Sequence, residues 1–130
     1  MRFPLALILL ASSVSLAQGA VFESAHVHPI ELSPNGTQLY AVNTDEHRLS
    51  VFDLTQGALP VLVAEIPVGL EPVTVRARTS GEVWVVNTLS GSVSIVDLTT
   101  LNVKRTLLVG PRPTDVVFAG SPTKAFVSIA

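Results

Sequence analysis

The stretch QLYAVNTDEHRLSVFDLT, residues 38–55, returns as EVWVVNTLSGSVSIVDLT at residues 82–99. The two copies align without a gap, and seven of the eighteen aligned pairs are identical. Most of the other pairs are conservative, such as Tyr40 with Trp84. Self-similarity at a fixed period is the signature of a repeat architecture in which each copy forms one structural unit.

Prolines mark the point where each copy begins. Pro29, Pro72 and Pro113 occupy equivalent positions at nearly regular spacing, and each opens a short apolar segment. The expected copies are residues 29–71, residues 72–112 and a truncated third copy at residues 113–130. We therefore expect residues 21–130 to form one repeat domain.

Each complete copy is predicted to contain four short strands separated by turn residues. The expected strands are 30–33, 38–43, 48–53 and 61–66 in the first copy, then 73–78, 82–87, 92–97 and 103–108 in the second. The inner strands carry apolar residues on both faces, as in residues 39–42, so neighbouring units must cover them on both sides. No stretch after residue 20 has a convincing helical period.

A four-stranded unit that is apolar on both faces cannot bury them alone, whereas units stacked face to face in a ring can. The sequence therefore predicts an all-β fold, a β-propeller with about two and a half four-stranded antiparallel blades of an incomplete ring. A single β-sandwich is the competing interpretation, and the regular recurrence of turn residues weighs against it. Because a ring needs at least about four blades, we expect a fragment of a longer protein or assembly with other copies.

The segments YAVNT (residues 40–44) and WVVNT (residues 84–88) resemble the signature of YVTN-type β-propeller repeats. The resemblance extends to SVFDLT (residues 50–55) and SIVDLT (residues 94–99), which look like that family's Ser/Val-rich strand and its Asp-Leu-Thr turn. The third copy departs from the motif, because Ile129 stands where the motif has Asn. The resemblance implies a seven-bladed ring of the kind found in exported proteins. It also implies similarity to lactonase-type propellers and to the haem d1 domain of cytochrome cd1 nitrite reductases.

Residues 1–20 differ in composition from the rest of the chain. Arg2 supplies a positive charge near the N-terminus, residues 5–10 are an unbroken apolar run, and small residues follow at positions 15 and 17. This is the pattern of a secretory signal peptide, and it predicts a secreted or periplasmic protein. A membrane anchor is the alternative, but the run is far shorter than the ~20 residues that a membrane-spanning helix needs. No later segment is predicted to span a membrane.

Composition excludes several functional classes. The 130 residues include no cysteine, which rules out a disulfide, a Cys-ligated metal, a Cys nucleophile and a CxxCH haem attachment within this chain. The net charge is -2 and the eight Lys and Arg residues are scattered, so nucleic acid is not an expected partner. Neither a GxSxG elbow nor a glycine-rich phosphate loop occurs. We therefore expect no cofactor and assign no catalytic residue.

The recurring residues that we interpret as structural are Tyr40, Asn43, Asp53, Trp84, Asn87 and Asp97. The two aromatic residues occupy equivalent strand positions and are predicted core residues. Each Asn is the last residue of a strand, where its side chain can bond the backbone of the next turn. Each Asp precedes Leu-Thr and is predicted to close an Asx turn. The recurrence of this Asp favours a structural role, because an active site needs its acid only once.

The candidate metal ligands are His26, His28 and His47. The first two would point to one face of an extended strand, and the third could approach from a turn. A zinc or copper site would need a further ligand, for which Asp45 and Glu46 are nearby candidates. Because such a site requires two separate segments to converge, we assign no metal site and expect surface or packing roles for all three. Four arginines also have two possible roles. They either line a channel for an anionic ligand or lie at solvated strand ends; these residues are Arg76, Arg78, Arg105 and Arg112.

These observations favour an exported propeller module without catalysis in this segment, which binds or scaffolds a partner protein or a small ligand. The remaining blades of a longer chain are a further expected partner. Two alternatives stay open. One is a lactonase-type propeller enzyme whose active residues lie in other blades, and the other is a propeller coupled to a downstream c-type haem redox module.

Overall fold

The computed structural model describes residues 22–130. The predicted signal peptide, residues 1–20, lies outside the described residues. Within the described range the regular structure consists of ten β-strands. No helix long and apolar enough to cross a membrane is present in that range.

The ten strands form three antiparallel sheets. The strands are β1 (Ile30–Leu32), β2 (Gln38–Asn43), β3 (Arg48–Asp53), β4 (Val61–Pro67), β5 (Pro72–Thr79), β6 (Glu82–Asn87), β7 (Ser92–Asp97), β8 (Asn102–Leu108), β9 (Pro113–Ala119) and β10 (Lys124–Ile129). The first sheet contains β1 to β4, the second β5 to β8, and the third β9 and β10, and each strand pairs with its neighbours in the chain. The first eight strands begin and end within one residue of the predicted positions. The expected two four-stranded units and partial third unit are confirmed.

The first and second sheets stack face to face over a shared apolar cluster. Its buried residues are Tyr40, Val42, Leu49, Val51 and Ile66 from the first sheet, and Val75, Val83, Val85 and Val96 from the second. Each fully buried Val or Leu side chain contributes about 1.5–3 kcal/mol relative to an exposed one. This interface is therefore the main source of stability between the two sheets.

The second and third sheets meet in an equivalent cluster that is less completely covered. The buried residues here are Trp84, Val86, Val93, Ile95 and Val116. The Trp84 ring lies edge-on to Phe118, with centroids 5.1 Å apart. Because the third sheet has only two strands, Trp84 keeps 9% exposure, whereas Tyr40 is fully buried.

Tyr40 and Trp84 lie at matching places in successive sheets. The Tyr40 hydroxyl donates to Gln38 Oε1 at 2.9 Å, and Trp84 Nε1 donates to Glu82 Oε1 at 2.8 Å. In each case the polar end of the aromatic ring bonds the residue two positions earlier on the same strand, and the ring itself packs against the next sheet. A buried aromatic residue with a polar atom needs such a partner. The sequence repeat is therefore also a repeat of packing.

Buried threonines link each sheet to the next. Thr44 Oγ1 donates to the Pro72 carbonyl at 2.8 Å, and Thr88 Oγ1 donates to the Pro113 carbonyl at 2.7 Å. Both threonines come directly after the second strand of their sheet, and both prolines begin the first strand of the next. These hydrogen bonds join the same two positions at successive interfaces, so the threonine and the following proline form a repeated link between sheets.

We predict that Thr88→Val destabilises the protein. Valine preserves the shape of the side chain but leaves the buried Pro113 carbonyl without its donor, which costs about 1–3 kcal/mol of unfolding free energy. Urea unfolding followed by Trp84 fluorescence measures the loss. Thr106→Val, at an exposed position on β8, is the control and should change stability by less than about 0.5 kcal/mol. Equal losses in the two variants would contradict the role assigned to Thr88.

Candidate functional site

One end of the stacked sheets carries several residues with an unusual backbone conformation. This end, here called the turn face, consists of the turns at 44–47 and 88–91 and the loops at 68–71 and 109–112. Glu71 and Arg112 both have positive φ, 52° and 51°, and both precede the proline that opens a sheet. A residue other than Gly is unfavourable there, and such outliers persist where the surrounding structure enforces them.

Asn43 and Asn87 occupy equivalent positions at the turn face but make different contacts. Asn43 Oδ1 accepts a hydrogen bond from the Glu46 backbone N–H at 3.1 Å, which is the turn contact expected from the sequence. Asn87 is fully buried, and its Nδ2 donates to Ser92 Oγ at 3.1 Å and to Ser94 Oγ at 3.0 Å. The second Asn therefore bonds side chains of β7 rather than the backbone of a turn.

Gly69 packs directly against the Asn87 side chain. A Cβ atom at position 69 would lie 2.5 Å from Asn87 Nδ2 and 2.6 Å from Ser90 Oγ. Only a residue without a side chain fits this close approach. The loop that carries Glu71 is therefore held tightly against the β6–β7 turn.

Asp53 and Asp97 lie at the opposite end of the sheets. Asp53 Oδ1 accepts a hydrogen bond from the Thr55 backbone N–H at 2.8 Å, and Asp97 Oδ1 accepts one from the Thr99 N–H at 2.8 Å. In Asp53 the hydrogen bonds from Thr55 lower the pKa of the carboxyl group. Both side chains close a local turn, and neither lies on the turn face.

The structure places the three candidate metal-binding histidines against different partners. His26 Nε2 lies 2.7 Å from Thr44 Oγ1, and His28 lies beside a guanidinium group. His47 Nδ1 accepts the Glu71 backbone N–H at 3.1 Å. Within residues 22–130, no three His, Asp or Glu side chains are placed to hold one metal ion. The structure does not bring the three imidazoles together.

A charge cluster connects the first strands of the three sheets. The Arg76 guanidinium on β5 donates to both oxygens of Asp115 on β9, at 3.0 and 2.7 Å. It also contacts His28, whose Nε2 lies 3.6 Å from a Glu31 oxygen on β1. The hydrogen bonds from Arg76 lower the pKa of Asp115. The Arg76 guanidinium is thus already paired with the Asp115 carboxylate of the third sheet.

A groove of about 630 Å³ opens on the turn face, between the β6–β7 turn and the β8–β9 loop. The residues that define this turn-face groove are Phe22, Glu71, Thr88, Leu89, Leu108 and Arg112. Leu89 and Leu108 are 63% and 85% exposed. The Glu71 carboxylate accepts a hydrogen bond from Ser24, whereas Arg112 makes no ion pair with any residue in the described part of the chain. The groove thus combines exposed apolar side chains with two charged groups, the Glu71 carboxylate and the unpaired Arg112 guanidinium.

A second groove, of about 410 Å³, lies between the second and third sheets at the end opposite the turn face. The residues that define this inter-sheet groove are Arg78, Glu82, Trp84, Lys104, Arg105 and Lys124. Burial opposes ionisation of Glu82, but hydrogen bonds from Lys104, Trp84 and Arg78 outweigh it and lower the pKa of Glu82 to about 2. The ionised carboxylate therefore anchors both the indole and two cations.

The four arginines considered as a possible anion channel are divided among three places. Arg76 belongs to the charge cluster of the first strands, and Arg112 lines the turn-face groove. Arg78 and Arg105 line the inter-sheet groove. The described structure does not assemble the four into one channel.

Comparison with known proteins supports the fold. No family model matches the chain, and no curated protein matches it. Among solved structures, it is similar to the hydrazine synthase of Kuenenia stuttgartiensis, with a TM-score of 0.70, 23% identity, and coverage of 86% of this chain and 32% of that one. It is also similar to a luciferin-regenerating enzyme, with a TM-score of 0.57, 17% identity, and coverage of 74% and 34%.

Both structural neighbours have β-propeller-type folds. At these identities the likeness concerns the fold alone, and the chain spans about one third of the length of each neighbour. The three sheets described above are therefore a β-propeller-type fold, and the fold class predicted from the sequence is confirmed.

We predict that Glu82 makes stability depend on pH in the acid range. Because the pKa of Glu82 is lower in the folded protein than its ordinary value of 4.5, its ionised form stabilises the fold above about pH 4.5. That contribution is lost as the pH falls from about 4.5 towards about 2. Glu82→Gln should therefore be less stable than the parent protein at pH 7, and its stability should fall less steeply across this window.

Urea unfolding midpoints measured at several pH values test this prediction. Glu65→Gln, at an exposed position on β4, serves as the matched control and should follow the parent profile. Parallel pH profiles for the parent protein and Glu82→Gln would show that Glu82 makes no such contribution.

Proposed function

We propose that this chain is an exported β-propeller module of the YVTN repeat type, which acts as a binding or scaffold domain and takes a partner or small ligand in the turn-face groove. The observation that carries the proposal is the presence of Glu71 and Arg112 at equivalent strained positions beside the exposed Leu89 and Leu108. Because one fold serves many functions, the groove rather than the propeller supports this assignment.

Hydrogen bonds and close packing hold the loop beneath the groove against the β6–β7 turn. The Leu70 backbone N–H donates to Ser90 Oγ at 3.0 Å, and the Thr88 N–H donates to the Glu71 carbonyl at 3.0 Å. Below them, the buried Asn87 side chain fills the space left by Gly69. A site whose backbone is fixed before binding loses less entropy when a ligand arrives.

The lining of the groove indicates the chemistry of a suitable ligand. Leu89 stands where the first unit has Asp45, so the turn itself does not require an apolar residue. Arg112 offers a guanidinium that can donate two parallel hydrogen bonds to a carboxylate. A molecule with an apolar body and a carboxylate therefore matches the groove.

We predict that octanoate, used as a probe of this chemistry, binds in the turn-face groove. Titration of the ¹⁵N-labelled protein should shift the backbone amide signals of residues 88–91 and 108–112. Leu89→Asp, which introduces the residue of the first unit, should weaken binding by at least about tenfold. Val117→Asp, at an exposed position on β9, should leave it unchanged.

Comparison with octan-1-ol isolates the role of the cation. The alcohol lacks the carboxylate and should bind the parent protein less tightly than octanoate. This preference should disappear in Arg112→Gln. Signal shifts scattered over the whole protein, or confined to the inter-sheet groove, would contradict the proposed site.

Export is the second part of the proposal, and it is supported by the apolar run at residues 5–10. Residues 1–25 fused to a reporter enzyme that is active only outside the cytoplasm should give active reporter. Leu9→Arg should abolish that activity, because a charge in the apolar run prevents recognition of a signal peptide. Equal activity of the two fusions would rule out this segment as a signal.

The free faces of the first and third sheets favour placing the module in a larger ring. Ile30 and Leu32 on β1 are 58% and 53% exposed, and Phe126 on β10 is 56% exposed. Further blades of the same kind, seven in the ring that the YVTN resemblance implies, would cover these residues.

A further inference from the structure

Glu71 and Arg112 place opposite charges at equivalent positions of two successive sheets. Each precedes the proline that begins a first strand, and their φ angles, 52° and 51°, are almost equal. Both residues line the turn-face groove. The groove therefore presents a carboxylate and a guanidinium from two matching points of the backbone.

These two charges do not neutralise each other. Glu71 and Arg112 form no ion pair together, and neither forms one with any other residue between positions 22 and 130. The Glu71 carboxylate accepts a hydrogen bond from Ser24 Oγ, but a carboxylate has two oxygens and can accept several more. Both groups thus keep the capacity to bind a ligand.

The β6–β7 turn lies between the two charges. On one side, the Thr88 backbone N–H donates to the Glu71 carbonyl at 3.0 Å. On the other side, the Val109 N–H of the loop that carries Arg112 donates to the Gly91 carbonyl at 3.0 Å. Stacked sheets lie about 10 Å apart, so the equivalent residues of the second and third sheets are separated by roughly that distance.

The two ends of the groove differ in charge, and an apolar surface lies between them. At the end near Glu71, the pKa of Glu23 is raised, chiefly by its hydrogen bond with Asp45 and in part by the negative charge of Glu71. Acidic groups therefore gather at this end, whereas Arg112 lies at the other. The exposed Leu89 is on the turn between them.

The preceding interface lacks this combination. Where the groove has Leu89 and Arg112, the equivalent positions one sheet earlier have Asp45 and Glu71, which are both acidic. The fold thus forms with or without an apolar residue and a cation at these positions. Their presence together with Glu71 is a property of this groove rather than of the repeat.

We propose that the turn-face groove takes a molecule with a cation at one end, a carboxylate at the other and an apolar body between them, such as an ω-amino acid or a short apolar peptide. This inference rests on the proposed function, because it names the ligand class of the same groove. The ligand carboxylate accepts hydrogen bonds from the Arg112 guanidinium, and the ligand ammonium donates to the Glu71 carboxylate. The apolar body covers Leu89 and Leu108. A molecule with adjacent charges, such as L-leucine, cannot reach both charged groups.

Titration with 8-aminooctanoate tests the proposal, because this molecule is octanoate with one ammonium added at the far end. At constant ionic strength it should bind the ¹⁵N-labelled protein at least about threefold more tightly than octanoate does. The backbone amide signals of residues 70–71 should shift together with those of 88–91 and 108–112. L-leucine should bind more weakly than 8-aminooctanoate.

The tripeptide alanyl-leucyl-alanine distinguishes the two sources of this chemistry in the same titration. It also has an ammonium and a carboxylate at opposite ends of an apolar molecule. Tighter binding of the tripeptide than of 8-aminooctanoate would identify the ligand class as short peptides. Weaker binding would identify it as ω-amino acids.

Glu71→Gln isolates the charge that the inference adds to the site. Glutamine keeps the shape of the side chain and an acceptor for Ser24, so only the negative charge is lost. The variant should bind octanoate more tightly than the parent protein, because a like charge has been removed, and it should lose the preference for 8-aminooctanoate. These opposite changes would not result from simple damage to the groove. Glu65→Gln, which removes an exposed charge from β4, is the matched control and should keep the parent preference.

The outcomes separate this inference from the proposed function. If octanoate shifts the groove signals but 8-aminooctanoate binds no more tightly, or if Glu71→Gln keeps the preference, the inference is wrong and the proposed site stands. If neither molecule shifts the groove signals, the proposed function and the inference are both wrong. Equal binding of L-leucine and 8-aminooctanoate would also overturn the inference, since it would show that the two charges need not be far apart.

Discussion

Burial on both faces of the same strand is the constraint on which this structure depends. On β6, Val83 and Val85 belong to the cluster shared with the first sheet, whereas Trp84 and Val86 belong to the cluster shared with the third. Successive side chains of a strand point to opposite faces, so neither set can be shielded without a sheet on its own side. The second sheet is therefore stable only between two neighbours. That stacking brings Thr88 to Pro113 and Arg76 to Asp115.

The features that could be predicted from the sequence are those that depend on local spacing. Strand positions follow from runs of apolar residues between turn residues, and the stacking of like units follows from the equivalence of Tyr40 and Trp84. The Asp-Leu-Thr turns are also local, because Asp53 and Thr55 are only two residues apart. For this reason the strand bounds and the fold class agree closely with the structure.

The contacts of the candidate site could not be predicted from the sequence, because they join residues of different sheets. Asn43 and Asn87 have the same sequence context, yet one faces a turn and the other is buried against β7. Asn87 donates to Ser92, where the first unit has Arg48, and Gly69 from another strand connection packs against it. The links from Thr44 and Thr88 were missed, although a signal was present. Each Val-Asn-Thr motif is followed by the proline that accepts the threonine's hydrogen bond.

The geometry of these threonine links has a consequence for how the repeat can vary in length. Thr44 and Pro72 are 28 residues apart, whereas Thr88 and Pro113 are 25 residues apart. The difference of three equals the difference between the connections at 54–60 and 98–101, which lie at the end opposite the turn face. Extra residues can therefore be inserted at that end while the spacing of the turn face is preserved. The connections at 54–60 and 98–101 already differ in this way, and the same threonine–proline hydrogen bond forms at both interfaces.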